Sequence, residues 1–294
     1  MIDAEKVRIA LSVDLEYEIG SYGADFIFNI HAAHTARQSV SSEHVSLSQP
    51  IVADVQTEPL TGNRYMRLRA MPGLLKVAYR ATLELQHHRA EPARLNEVAI
   101  RDLPLATLGY LYPSRYCESD KLMRIAMKQF GAMAPGYARV QAIMAWVQKE
   151  ITYLPNTSGS STSAVDTLLG QTGVCRDFAH LMITLCRSLN IPARFTTGTD
   201  YGADPMIGPP DFHAYVEVYV GDRWYIFDPS GTGVPMGFVR IGTGRDAADV
   251  SFATMFGAVT PLCGPKVDAR AIEDASAGIV RPYHTHLAIS TDTP

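Results

Sequence analysis

No apolar run in this chain approaches the ~20 residues needed to cross a bilayer, so no membrane partner is expected. The formal charge is −4, with 26 Lys and Arg against 30 Asp and Glu. There is no basic excess of the kind that marks a nucleic-acid surface, and no nucleic-acid partner is expected. The four cysteines, at 117, 175, 186 and 263, form no CxxC pair and no metal-ligand spacing. Neither a metal nor a cofactor is expected on that ground. The start, Met1 to Arg8, lacks the apolar core of a secretion signal. The expectation is a cytoplasmic protein, in a reducing setting where a nucleophilic thiol stays free. What is present is ordinary for a globular chain: 47% hydrophobic and 19% charged residues. A length of 294 residues leaves room for two domains, each with its own core.

Residues 1–104 read as closely spaced strands. Val7 to Val13, Leu15 to Ile19 and Phe26 to Ile30 alternate apolar and polar positions. Tyr65 to Arg69 follows the turn-rich Thr61-Gly62-Asn63, and Leu74 to Leu85 reads as one long strand. Such spacing predicts an antiparallel β-sandwich. His31 and His34 would share a face only in a helix, and they follow a strand pattern, so no metal site is expected there. His87-His88 lies in a polar segment after a strand and reads as a solvated turn. A proline-bearing connector from Pro92 to Ser119 carries Tyr110, Tyr112 and Tyr116, expected to pack one domain on the other.

Helical spacing then takes over. Helices are expected from Ser119 to Phe130, from Tyr137 to Glu150 and from Ala164 to Leu169, the last two separated by a Ser/Thr/Gly-rich loop at 157–163. Gly173-Val174 delivers Cys175 to the start of another helix. Phe178, Leu181, Met182, Leu185 and Leu189 recur at steps of three and four, and Asn190 and Pro192 end the run. Unpaired N–H groups and the helix dipole favour negative charge where Cys175 sits. Downstream, 211–220 and 224–229 read as strands joined by a two-residue turn, Gly221-Asp222. That register sets Tyr215 opposite Asp228. His213, Tyr215 and Glu217 then share a face with Trp224, Ile226 and Asp228. His213 and Asp228 become diagonal neighbours, at roughly 7–8 Å between backbone positions. A cysteine, a histidine and an aspartate in this arrangement make a nucleophile, a base and a group that orients the base.

Three blocks carry a resemblance. Gly-Val-Cys-Arg-Asp-Phe-Ala-His at 173–180, Phe-His-Ala-Tyr-Val-Glu-Val at 212–218 and Trp-Tyr-Ile-Phe-Asp-Pro at 224–229 resemble the signature blocks of the transglutaminase-like superfamily. The likeness is closest to its bacterial cysteine-peptidase-like branch and extends over residues 120–262. It implies an α+β, papain-like core in which the cysteine helix packs on an antiparallel sheet, with an N-terminal β domain before it. Block by block, it implies Cys175 as nucleophile, His213 as general base and Asp228 as orienter.

Acyl transfer also needs an oxyanion hole. The Cys175 N–H is the first candidate donor, and the side chain of Gln171, four residues upstream, is the second. His180 lies well round the helix from Cys175 and is no candidate for the base. Asp177 reads as a dipole-stabilising residue and Cys186 as core. Ser251 to Val259 reads as another sheet strand, and the resemblance implies that this segment closes the catalytic domain beside the site. The expected division is a sandwich at 1–104, a catalytic domain at 105–263 and a tail at 264–294 with one strand around Thr285 to Ile289. The expected activity is cysteine-dependent hydrolysis of a peptide or protein amide through a thioacyl-enzyme. Amine transfer of the protein-glutamine acyltransferase type is one alternative. A non-catalytic binding module that kept the fold is the other.

Overall fold

Alternating burial organises the first half of the molecule. In the computed structural model, which describes residues 5–199, 201–204, 206 and 211–292, every second side chain of β1 (Val7–Ile19) is buried. The chain continues through β2 (Ala24–Phe28), β3 (Gln38–Leu47), β4 (Asp54–Thr57), β5 (Arg64–Ala70), β6 (Gly73–Leu85) and β7 (His88–Ala90). Strands β1 and β6 pair antiparallel along their full length, from Val7 opposite Leu85 to Ile19 opposite Gly73, and β3 adds to the far side of β6. Strands β2, β5 and β4 form the facing sheet. Apolar residues at every second position put Tyr17, Phe26, Phe28 and Tyr79 between the sheets. There Phe26 stacks on Phe28 at 5.0 Å between ring centroids.

The second half follows with α1 (Ser119–Phe130), α2 (Tyr137–Glu150), β8 (Thr152–Tyr153), α3 (Ala164–Gly170), β9 (Thr172–Gly173) and α4 (Cys175–Ser188). It then adds β10 (Ala193–Thr199), β11 (Phe212–Val220), β12 (Arg223–Phe227) and β13 (Arg240–Gly244). The last four form an antiparallel sheet in the order β12-β11-β10-β13. The turn at Gly221, with φ +66, holds the expected register from Val220 opposite Arg223 to Val216 opposite Phe227. The apolar spacing after Cys175 indicates one buried stripe. Helix α4 is instead buried on every side from Asp177 to Ser188. Helices α1, α2 and α3 surround it, and β10 and β11 form its floor. Two of its hydroxyls are satisfied within the helix: those of Thr184 and Ser188 donate to the carbonyls of His180 and Thr184. Among the described residues no helix is long and apolar enough to cross a membrane.

The chain then returns to its beginning. Strand β14 (Ala253–Phe256) pairs with β2, while β15 (Val259–Pro261) and β16 (Lys266–Ile272) both pair with β1. Strand β17 (Ala288–Ser290) pairs with β7. Two expectations are corrected here. The strand within 251–259 joins the N-terminal sandwich and not the sheet β12-β11-β10-β13. The segment expected as a tail carries the edge strand β16 besides the strand near its end. An open edge exposes unpaired N–H and C=O groups, and the returning strands cover the edges of β1 and β2. His87-His88 is also not a solvated turn. His87 is buried, which pushes its imidazole down to about 4, and His88 begins β7. His31 packs on the Tyr79 ring at 4.7 Å inside the sandwich, whereas His34 is exposed.

The sheet β12-β11-β10-β13 lies between two layers. Ala214, Val216 and Val218 face α4, and Tyr215, Ile226 and Phe238 face the sandwich core. Edge strand β13 is joined to the sandwich by two carboxamides. Gln38 donates from Nε2 to the Arg240 carbonyl and accepts the Arg240 N–H at Oε1, both at 2.8 Å. Asn63 does the same at Thr243, at 2.9 and 2.8 Å. Beside them, buried Glu217 bridges Arg194 and Arg240, and both arginines also hold Asp292. Gln38→Ala is expected to lower the unfolding free energy in urea by about 1–3 kcal/mol, because it leaves a buried N–H unpaired. A loss below about 0.5 kcal/mol, the size of an ordinary surface change, is the result that speaks against this junction.

Candidate active site

The start of α4 is built by a glycine and an aspartate. Asp177 Oδ2 accepts the Val174 N–H at 2.8 Å, which ties the chain entering the helix to its first turn. A side chain at Gly173 would put its Cβ 2.7 Å from the Asp177 Cβ, so only glycine lets the carboxylate in. Asp177 is fully buried. Its other oxygen accepts the Ser158 hydroxyl at 2.8 Å, and Arg176 donates to Ser158 Oγ and to the Gly159 carbonyl at 2.6 and 2.5 Å. Asp177 thus does more than complement a dipole: it anchors the Ser/Thr/Gly-rich loop to the helix. Cys175 is the first helical residue and is half-buried. Cys117 and Cys186 are buried, and burial pushes both thiols up, Cys117 to about 12. Cys263 is exposed.

Strand β11 and the end of β12 bring the other two residues together. His213 Nε2 lies 3.2 Å from Asp228 Oδ1. Cys175 lines the same cleft as this imidazole, and the nearby thiol helps to keep the ring protonated. Asp228 is fixed in turn. Ser230 donates to Oδ1 from its N–H at 3.2 Å and its hydroxyl at 2.7 Å, and Gly233 donates to Oδ2 at 3.2 Å. Gln148 Nε2 donates to the Asp228 carbonyl at 3.2 Å. The His213 ring is buried against Phe238, 4.8 Å away. Burial alone would push this imidazolium down. The Asp228 charge and hydrogen bond, with the Cys175 thiol, outweigh it and raise the group to about 10. Burial likewise opposes ionisation of Asp228, yet His213 and the donors around it hold its carboxyl below the usual range.

Cys175 and His213 open onto one cleft of about 240 Å³, walled by Phe195, Phe212, Val250 and Phe252. The stretch 247–253 forms one side of it, so the start of the segment 251–259 lies beside the site as the resemblance implies. One of the bonds that hold this stretch comes from the helix: the Ala247 N–H donates to His180 Nε2 at 3.2 Å. His180 is fully buried, stacked on Tyr116 at 5.0 Å, and burial keeps its ring neutral, far below the usual histidine range. It holds the wall and does not face the thiol. Gln171 is not brought to the cleft. It is exposed in the left-handed region (φ 52) at the end of α3, and its carbonyl accepts the Thr152 N–H. Its side chain is not among the residues lining the space beside Cys175.

Comparison with known proteins places this arrangement. Residues 124–229 match the family described as the transglutaminase-like superfamily, and residues 7–106 match the bacterial transglutaminase N-terminal domain. A solved structure from Cytophaga hutchinsonii, described as a candidate cysteine protease, is 35% identical. It superposes with a TM-score of 0.89 and is covered over 97% of either chain. The chain belongs to the transglutaminase-like superfamily. Uncharacterized proteins of Mycobacterium leprae and Mycobacterium tuberculosis are each 29% identical, over 48% and 45% of this chain. The matches span 52% and 46% of those relatives, so the chain spans about half their length. In this transglutaminase-like protein the matched core runs from α1 to the end of β12, and it carries Cys175, His213 and Asp228. The matched N-terminal domain is the sandwich that the returning strands β14, β15 and β16 complete.

Proposed function

We propose that this protein is a cysteine-dependent hydrolase of peptide or protein amides. The observation that carries the reading is the single constellation at the cleft: a thiol at a helix N-terminus, an imidazole lining the same cleft, and a buried carboxylate 3.2 Å from the imidazole Nε2. The description of the 35%-identical Cytophaga relative supports it. The Cys175 proton passes to His213, and the sulfur attacks the amide carbonyl. The tetrahedral oxyanion forms beside the Cys175 N–H, which has no partner within its own helix at this position. It collapses as the C–N bond breaks, and His213 returns the proton to the leaving nitrogen. A thioester remains on Cys175. His213 then takes a proton from water, the hydroxyl attacks the thioester, and the C–S bond breaks to release the acid. Asp228 keeps the imidazole in the tautomer and orientation that both steps use.

Water, and not an amine, is the acceptor in this reading. Among the described residues, those lining the cleft include no carboxylate to hold a lysine ammonium, and Arg176 at its rim repels one. The test is a peptide amide substrate with and without a fluorescent primary amine. Acid release should proceed at the same rate in both, with little label incorporated. Label that rises with amine concentration at the expense of acid identifies a transferase. Neither product across a broad peptide panel, together with an unreactive Cys175, identifies a binding module.

A further inference from the structure

The cleft has a chemical character that the acyl-transfer chemistry does not require. Its walls are carbon: the rings of Phe195, Phe212 and Phe252 with the side chains of Ala214 and Val250. Phe212 and Phe252 stack on each other at 4.7 Å. The hydroxyls in the lining already donate within the protein itself. Thr197 Oγ1 donates to the Val250 carbonyl at 3.1 Å, and Ser251 Oγ donates to the Ala247 carbonyl at 3.2 Å. Arg176 is turned to Ser158 and Gly159. A polar side chain held against the aromatic walls would leave its water behind and meet carbon there, whereas an apolar one gains by losing water.

The wall is also held at both ends. Ala247 is tied to His180 in the helical core. The Phe252 carbonyl accepts the Asn29 N–H at 3.0 Å, and Ala253 begins the pairing with Phe28 in the sandwich. The space is therefore pre-shaped and not a gap in a loose loop. At about 240 Å³ it is smaller than the roughly 300–1,000 Å³ of sites that enclose a whole small molecule. It suits one large side chain of a longer substrate.

We propose that this cleft is a subsite for a large apolar side chain, leucine-like or aromatic, in the acyl part of a peptide substrate. The inference rests on the hydrolase reading above. The acyl part is the one selected, because it stays bonded to Cys175 through both chemical steps, so contacts to it lower both barriers. Phe252 and Phe212 are then the residues that set specificity.

The probes are dipeptidyl chloromethyl ketones, which alkylate the thiol with loss of chloride. Either of the two residues nearest the electrophile is leucine, phenylalanine, aspartate or lysine. The readout is the second-order rate of Cys175 labelling by intact-protein mass spectrometry, with iodoacetamide as a reagent that needs no subsite. Leucine or phenylalanine at one of the two positions is expected to label about 10–100-fold faster than aspartate or lysine. Phe252→Asp should lower the leucine-to-lysine rate ratio at least about tenfold, because it puts a carboxylate where the wall was carbon. Rates that do not depend on the side chain, with iodoacetamide still labelling Cys175 fast, overturn the subsite and leave the hydrolase reading standing. A Cys175 that iodoacetamide leaves unmodified overturns both. If Phe252→Asp does not fold, the parent protein's probe series decides alone.

Discussion

Cys175→Ala is expected to lower amide hydrolysis by at least about 10⁴-fold, since no other group at the cleft can form the thioester. The remaining activity would be what the hole and the binding contacts supply without a nucleophile. The fold should survive. Cys175 is half-buried at the helix start, outside the fully buried stretch Asp177–Ser188, so the melting temperature should stay within about 4 °C of the parent. The parent should also react rapidly with one equivalent of iodoacetamide at neutral pH, and the variant should not. Cys117 and Cys186 are protected by burial, which pushes their thiols up, and exposed Cys263 has no imidazole partner to activate it. Fast labelling that persists in Cys175→Ala would move the nucleophile elsewhere.

Asp228→Asn is expected to cost about 10²–10⁴-fold in kcat/KM and to change the shape of the pH profile. The sign follows from the causes of the His213 shift. Burial pushes the imidazolium down, and the Asp228 charge is the largest influence that raises it, to about 10. The ring therefore keeps its proton as pH rises, and the protonated ring beside the thiol is lost only near that value. Asparagine removes the charge and leaves the burial. The ring then loses its proton at lower pH, and the alkaline fall of kcat/KM should move in the acidic direction. Because thiol and imidazole titrate as a pair, the measured limb belongs to both groups. With the amide oxygen on the Oδ1 side Ser230 keeps its acceptor and only the Gly233 N–H loses one, so gross unfolding is not expected. An unchanged alkaline limb in a folded Asp228→Asn protein would remove Asp228 from the mechanism.

Much of this site is legible in the order of the residues. Strand alternation and a two-residue turn are local rules, and they are enough to put His213 and Asp228 on one face of a hairpin. The meeting of Nε2 and Oδ1 at 3.2 Å is what that register requires. The helix start at Cys175 is also local, set by Gly173 and the spacing of Phe178, Leu181, Met182 and Leu185. What escapes is whatever depends on partners far away in the chain. Helix α4 shows one apolar stripe in its sequence but is buried all round, with the Thr184 and Ser188 hydroxyls bonded within the helix. Gln171 is near Cys175 in sequence and turned away in space, because its left-handed backbone ends α3 there. His180 looks idle from its helix position and holds a wall of the cleft 67 residues on.

By itself, then, the sequence determines the alternating strands of the sandwich, the cysteine helix and the parity of the histidine hairpin. Each is decided by side-chain period and turn chemistry over a few residues. Only the tertiary structure decides how the halves join. The strands after residue 250 complete the N-terminal sheets, because strand edges need backbone partners and β1 and β2 offer them. Gln38 and Asn63 seal the edge of the sheet β12-β11-β10-β13 through carboxamide bonds that span 202 and 180 residues. The cleft wall belongs to the same class. Its position follows from contacts distant in the chain, among them the hydrogen bonds to His180 and Thr197 and the strand pairing to Phe28, and no local period encodes them.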